Sequence, residues 1–334
     1  MMYPNVPNYS DESQYSECLW IWASLGPRPI EYLGIFGIKI EKEAPVQIGA
    51  HALVFTGTFD EAGLTLAIEK TKKAGFDLIE IPLMDPAAFD RNLAARLLRE
   101  HDLSASASLG LSDSTDLTSS DPAIVEAGEK MLNECLEIVH TMGGNRLCGV
   151  IYSAMKKYME PLTSAGRASS AAAIKRLASR ATDLDIHLSL EVVNRYETNV
   201  INTGRQALSF LDEIEHENVS VHLDTYHMNI EESDMFSPVL DVGDRLGYVH
   251  IGESHRGYLG SGTVDFGSFF RALARINYDG PVVFESFSSA VVNRDLSRTL
   301  GIWRNLWQDS DDLASHANTF IRNQLRSVQS IALH

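Results

Sequence analysis

Four ionisable residues occupy ends of apolar runs where packing alone would favour aliphatics: Glu191 in SLEVVNR, Asp224 in HLDTYHMN, His250 in YVHIGES and Glu285 in VFESF. If they converge, three carboxylates and an imidazole repel or stay unsatisfied unless a cation holds them. An oxygen-rich set with one nitrogen suits Mn²⁺, Mg²⁺ or Co²⁺ better than a structural zinc, and it leaves coordination positions open for two substrate oxygens. Singly, each residue has a blander reading, since a carboxylate at a strand end often caps a loop and a lone histidine is commonly satisfied in a core. Only the joint pattern points to a metal.

Hydrogen-bonding groups follow these residues along the chain: Asn194, Arg195 and Glu197, then His227 and Asn229, then Glu253, Ser254 and Arg256. Many fixed donors and acceptors suit recognition of a polyol, although Arg195 and Arg256 would also serve simply to neutralise excess acid at a rim. His222 lies two residues before Asp224, so strand alternation points it the same way, one layer deeper. It reads as a core residue or one that hydrogen-bonds to the ligands, and Glu80 in FDLIEIP is open to the same reading.

The elements that must position these groups form a regular rhythm. From about residue 46, short β-branched apolar runs alternate with helical patterns of ten to twenty residues. Strands are expected at 46–55, 76–83, 103–112, 146–153, 186–195, 219–229, 247–254 and 281–288, and a long helical tail at about 295–330. Asp121 and Pro122 open the third helix and a glycine pair closes it. Glu191, Asp224, His250 and Glu285 fall on strands five to eight, with separations of 33, 26 and 35 residues, about one βα unit each. In a single (β/α)₈ TIM barrel such positions share one rim. A doubly wound open sheet fits less well, because no G-x-G-x-x-G follows the first strand and the polar strand ends do not gather at one switch point. Residues 1–45 read as an N-terminal extension without clear periodicity, and 46–330 as the barrel domain.

Composition narrows the function classes. The chain has 334 residues, 44 % apolar and 22 % charged, the values of a globular protein with a full core. A formal net charge of −17 argues against a nucleic-acid partner, whose phosphates need clustered positive charge. Cys18, Cys135 and Cys148 are odd in number and unpaired by spacing, which suggests a reducing compartment. No signal peptide or membrane-length apolar run is evident, so a cytoplasmic protein with no membrane partner is expected.

The stretch from LSLEVVNRYETNVINT through HLDTYHMNIEE, YVHIGESHRGYLGSGTVDF and VVFESF closely resembles the ketose 3-epimerases, the group of D-tagatose 3-epimerase and D-allulose (D-psicose) 3-epimerase, within the xylose-isomerase-like barrel superfamily. The resemblance is strong over about 186–288 and looser back to residue 46. It rests on E-x-x-N-R-[FY]-E, L-D-T-[FY]-H-M-N-I-E-E and H-x-G-E-S in combination. It implies that Glu191, Asp224, His250 and Glu285 bind a divalent metal, usually Mn²⁺ or Co²⁺, and that Glu191 and Glu285 are also the acid/base pair. It further implies that Glu197, His227 and Arg256 grip the O1 to O3 end of a small-molecule sugar, and that the protein is a homo-oligomer, a dimer or tetramer.

This mechanism is physically coherent. Inverting C3 of a ketose removes a proton from one face of a carbon beside a carbonyl and returns one to the other face, so two carboxylates must flank the substrate plane, while a metal on O2 and O3 stabilises the cis-enediolate. Family members often place tryptophans after strands one and four. Here Phe55 and Met155 stand there, and Phe287 keeps an aromatic two residues after Glu285. Other reactions on this fold are hydroxypyruvate isomerisation, aldose–ketose isomerisation, inosose dehydration and sugar-phosphate epimerisation. An abasic-DNA nuclease would need a basic face, and a non-catalytic relative would be expected to have lost Glu191 or Glu285.

Overall fold

A computed structural model describes residues 46–332. The extension expected at 1–45 lies outside the described residues. The strands and helices run β1 (Ile48–His51), α1 (Glu61–Lys73), β2 (Leu78–Pro82), α2 (Arg91–Glu100), β3 (Ser104–Leu111), α3 (Pro122–Met142), β4 (Arg146–Ala154) and α4 (Ser164–Asp183). They continue through β5 (His187–Val192), α5 (Gly204–Ile214), β6 (Val219–Asp224), α6 (Thr225–Glu231), α7 (Ser237–Val242), β7 (Leu246–Ile251), α8 (Phe266–Arg275), β8 (Val282–Phe284), α9 (Arg294–Thr299) and α10 (Ser310–Ala332). Each strand pairs in parallel with its chain neighbour, and β8 pairs with β1, so the sheet closes. The architecture is the (β/α)₈ barrel that the strand rhythm predicts; an open sheet is excluded by that closure.

Local chemistry sets the boundaries. The Asp60 carboxylate accepts the Gly63 amide at 2.9 Å and starts α1, and Asp121 does the same for Ala123 at the head of α3, with Pro122 behind it. Loss of such a cap costs about 0.5–2 kcal/mol. Gly143 ends α3 with φ +76°, a left-handed turn that glycine adopts without a Cβ clash.

Several expected elements are shorter or broken, among them the eighth strand, which ends at Phe284. The first strand stops at His51, whose Nδ1 accepts the Leu53 amide and folds Ala52–Val54 into a 3₁₀ turn. The sixth stops at Asp224, whose carboxylate accepts the Tyr226 amide at 2.8 Å and starts α6, so TYHMN is helical. The tail is two helices, because α9 ends at a left-handed Gly301 with φ +67° and residues 300–309 are not helical.

Strand alternation separates the interior of the barrel from the layer beneath its helices. Toward the N-terminal end the interior is filled by Leu78, Cys148, Tyr248 and Val283. A Cβ at Gly49 would meet Leu78 Cδ2 at 2.6 Å, so the backbone of β1 lies close against that layer. Above it, toward the strand C-termini, the interior residues are titratable: His51, Glu80, Glu191, His222, Asp224 and His250, each at most 9 % exposed.

Candidate active site

Glu191 sits near the end of β5, Asp224 ends β6, His250 precedes the last residue of β7, and Glu285 follows β8 directly. Because each lies at the same end of its strand, barrel closure brings all four together. His250 Nδ1 is 3.6 Å from Glu191 Oε1 and 3.6 Å from Glu285 Oε1. Ligating atoms of Asp224, His250 and Glu285 lie within 4.8 Å of one another, as do those of Glu191, Asp224 and His227, and those of Glu191, His222 and His250. Among the described residues Asp224 Oδ2 and His250 Nδ1 are buried without a hydrogen bond, although the Arg256 guanidinium lies 3.2 Å from Asp224 Oδ2. Buried lone pairs of this kind carry a desolvation cost unless a cation meets them. The donor set of three carboxylates and one imidazole nitrogen therefore fits a hard divalent ion.

A second layer holds these groups. His250 Nε2 is 2.7 Å from Glu80 Oε2, which also accepts the Tyr248 hydroxyl at 2.8 Å. His227 Nδ1 accepts the Asn194 amide at 3.1 Å, which leaves Nε2 facing Asp224 Oδ2 at 3.5 Å. Asn194 Nδ2 also donates to Glu197 Oε1 at 2.8 Å. Arg256 adopts φ +60° and stacks its guanidinium on Tyr226 at 3.9 Å. Its Nη1 donates to Glu285 Oε2 and lies 3.2 Å from Asp224 Oδ2.

The electrostatics push the two central glutamates apart. Burial raises the Glu191 carboxyl well above the usual range, outweighing the His250 contact, and the charges of Glu285 and Asp224 add to the rise. Burial acts on Glu285 too, but Arg256, His250 and His51 outweigh it and hold its carboxyl low. Burial pushes the His227 imidazole down to about 3 and keeps it neutral.

Residues 68–311 match the xylose isomerase-like TIM barrel family. The chain is 63 % identical over 289 residues to a ketose 3-epimerase of Arthrobacter globiformis, covering 86 % of this chain and all of that one. It is 56 % identical over 279 residues to an L-ribulose 3-epimerase of Methylomonas sp. (strain DH-1), covering 84 % and 98 %. The chain belongs to the ketose 3-epimerase family. It is accordingly an isomerase. Among solved structures, the Methylomonas D-allulose 3-epimerase in complex with D-allulose superposes with a TM-score of 0.83 at 55 % identity, covering 84 % of this chain and 97 % of that one.

In this epimerase family member the residues expected around the sugar divide in two. Glu197, His227 and Arg256 line the same cavity as Glu191, His250 and Glu285. Arg195 does not: it is exposed and forms a two-pronged pair with Glu231. Asn229 is exposed as well. The buried Glu253 carboxylate accepts the amides of Ser254, Gly260 and Val264 and so shapes the loop after β7, and Ser254 Oγ accepts the Thr263 amide. Among the described residues His222 makes no hydrogen bond through either ring nitrogen; it is fully buried and packs edge-on to His250 with ring centres 4.2 Å apart, so of the two roles expected for it, it takes the core one.

The apolar lining also differs from expectation. Met155 and Phe287 face the cavity, but Phe55 is buried in the core and Leu53, in the turn after β1, lines the cavity instead. The turn that follows His51 rotates the chain away from strand alternation, which is why position 55 was the wrong choice. Met84 after β2 and Leu296 and Leu300 around α9 also line the cavity, together with Pro82, Leu109, Val150 and Val193 from the strands and their ends. Met84 lies just past a strand end and was discoverable by position; Leu296 and Leu300 come from a tail whose pattern reads only as helix.

Proposed function

We propose that the protein epimerises a free ketose at C3, of the D-fructose/D-allulose, D-tagatose or L-ribulose type, using a divalent metal. The observation that carries this reading is the buried pair Glu191 and Glu285, brought from β5 and β8 into one cavity with a carboxylate oxygen of each 3.6 Å from His250 Nδ1. Two carboxylates from separate strands suit a proton exchange in which one starts as acid and the other as base. The names of the relatives, ketose 3-epimerase and L-ribulose 3-epimerase, and the D-allulose complex of the Methylomonas enzyme support the substrate class.

Glu191, Asp224, His250 and Glu285 would hold the metal, with Mn²⁺ the best fit and Co²⁺ or Mg²⁺ the alternatives. When bound, the ion supplies Lewis acidity at the ketose carbonyl and offsets the negative charge that develops on the enediolate. One of Glu191 and Glu285 removes the C3 proton from one face of the sugar, and the other returns a proton to the opposite face. Glu197, His227 and Arg256 bind the O1 to O3 end. Neutral His227, with Nδ1 committed to the Asn194 amide, keeps Nε2–H free to donate to a sugar oxygen. The planar Arg256, stacked on Tyr226, holds the ketose against Glu285 and helps keep that carboxylate ionised. The family resemblance implies a homo-oligomer, a dimer or tetramer, which light scattering tests.

The deciding experiment is NMR of D-fructose incubated with Mn²⁺-loaded protein in D₂O. Deuterium at C3 with formation of D-allulose is the expected result. Label at C1 with aldose formation would assign an aldose–ketose isomerase instead, and absence of exchange in D-fructose, D-tagatose and L-ribulose would overturn the reading. EDTA is expected to abolish the exchange and added Mn²⁺ to restore it.

A further inference from the structure

We infer that Glu80 is a positioning residue that fixes the His250 imidazole so that Nδ1, not Nε2, faces Glu191 and Glu285. This rests on the proposed metal reading of the same site. Glu80 lies in the middle of β2, across the barrel from β7, and is fully buried. A carboxylate in that position is tolerated only if donors reach it. Its Oε2 takes two from β7, the Tyr248 hydroxyl at 2.8 Å and His250 Nε2 at 2.7 Å. With the Tyr248 hydrogen directed to Glu80, the Ser106 hydroxyl, 2.6 Å away, donates to the Tyr248 oxygen. His51 approaches from β1: its Nδ1 accepts the Leu53 amide, so its proton lies on Nε2, 3.4 Å from Glu80 Oε1.

The consequence for His250 follows from its two nitrogens. A carboxylate only accepts, so the nitrogen facing Glu80 must carry the proton. In the neutral ring that leaves the Nδ1 lone pair for the cluster, where Nδ1 has no hydrogen bond of its own. A carboxylate behind an imidazole also raises the basicity of the ring toward a cation. Rotating the ring by half a turn would point a C–H at Glu80 and leave its buried charge short of a donor, so one orientation is strongly preferred. Among the described residues Oε1 has no hydrogen bond, so His51 contributes only a longer contact at 3.4 Å, and it is through Oε2 that Glu80 ties β2 to the residue that β7 contributes to the site.

The test is Mn²⁺ affinity, measured by electron paramagnetic resonance on wild type, Glu80→Gln and Glu80→Ala, with thermal unfolding of the metal-free proteins alongside. Glu80→Ala is expected to bind about 10–100-fold more weakly. Glu80→Gln, whose amide oxygen still accepts the Nε2 proton, should recover part of that loss. Folded variants that bind Mn²⁺ as tightly as wild type would overturn the inference and leave the metal reading intact. Failure of wild type to bind Mn²⁺ would instead overturn the metal reading itself. Should Glu80→Ala not fold, wild type alone decides. In Zn²⁺-loaded protein labelled with ¹⁵N-histidine, the His250 proton is expected on Nε2, the signal being identified by its loss in His250→Gln. A proton on Nδ1 would refute the assignment.

Discussion

Glu191, Asp224, His250, Glu285 and Arg256, from β5 to β8 and the loop after β7, cluster within a few ångströms of one another, whereas a second group of cavity residues, apolar and outside the strands, comprises Leu53, Met84, Met155, Leu296 and Leu300; Leu109 and Val150 line the cavity from β3 and β4. The first group consists mostly of residues at strand ends, whose direction is set by backbone pairing on both sides. The second is drawn from turns, loops and a short helix, where no hydrogen-bonded ladder fixes which side chain faces inward. The candidate ligands are thus mounted on paired strands, and the apolar residues outside the strands on segments that can vary without disturbing them.

Substitutions in the two groups should therefore fail in different ways. The largest effect belongs to the charged group. Glu285→Gln is expected to reduce turnover by about 10²–10⁴-fold, followed as deuterium uptake at C3, and near-normal exchange would refute the two-carboxylate mechanism. Arg256→Ala should raise KM by about tenfold or more, the worth of a charged hydrogen bond, with metal content by atomic emission unchanged. If metal is lost as well, Arg256 organises the ligands in addition to binding sugar. The apolar group should respond more gently: Leu300→Ala or Met155→Ala is expected to change the ratio of kcat/KM between a ketohexose and a ketopentose by about tenfold, as cavity-size changes do, while C3 exchange persists. Loss of exchange would mean that this group also orders the reacting end. Smallest of all, Arg195→Ala should leave kcat/KM unchanged, because Arg195 and its largely buried partner Glu231 lie outside the cavity.

The contrast also explains what was legible beforehand. Glu191, Asp224, His250 and Glu285 stood out because a period of about one βα unit, once the barrel is assumed, converts sequence spacing into a shared rim. Arg256 stood among the polar groups after strand seven, but only the resemblance set it apart from Arg195, since its left-handed backbone and its stacking on Tyr226 depend on the loop after β7. Glu80 and His222 looked alike in sequence, each a polar residue in an interior strand position, yet one receives donors from β7 and the other makes no hydrogen bond. Nothing local separates them, because the deciding partners lie on strands distant in the chain. Phe55 departs from expectation for the opposite, local reason: the His51 Nδ1 contact with the Leu53 amide accompanies a 3₁₀ turn over Ala52–Val54, after which strand alternation no longer decides where residue 55 faces.

Residue types and their spacing were enough, by themselves, to point to the barrel and to four candidate ligands, since strand alternation and unit repeat are properties of the chain alone; the reaction class came from the family resemblance. Tertiary structure alone decided which nitrogen of His250 faces the cluster, why Glu191 and Glu285 are shifted in opposite directions, and which apolar residues close the cavity. Those outcomes depend on burial and on donors brought from other strands, and neither exists until the sheet has closed.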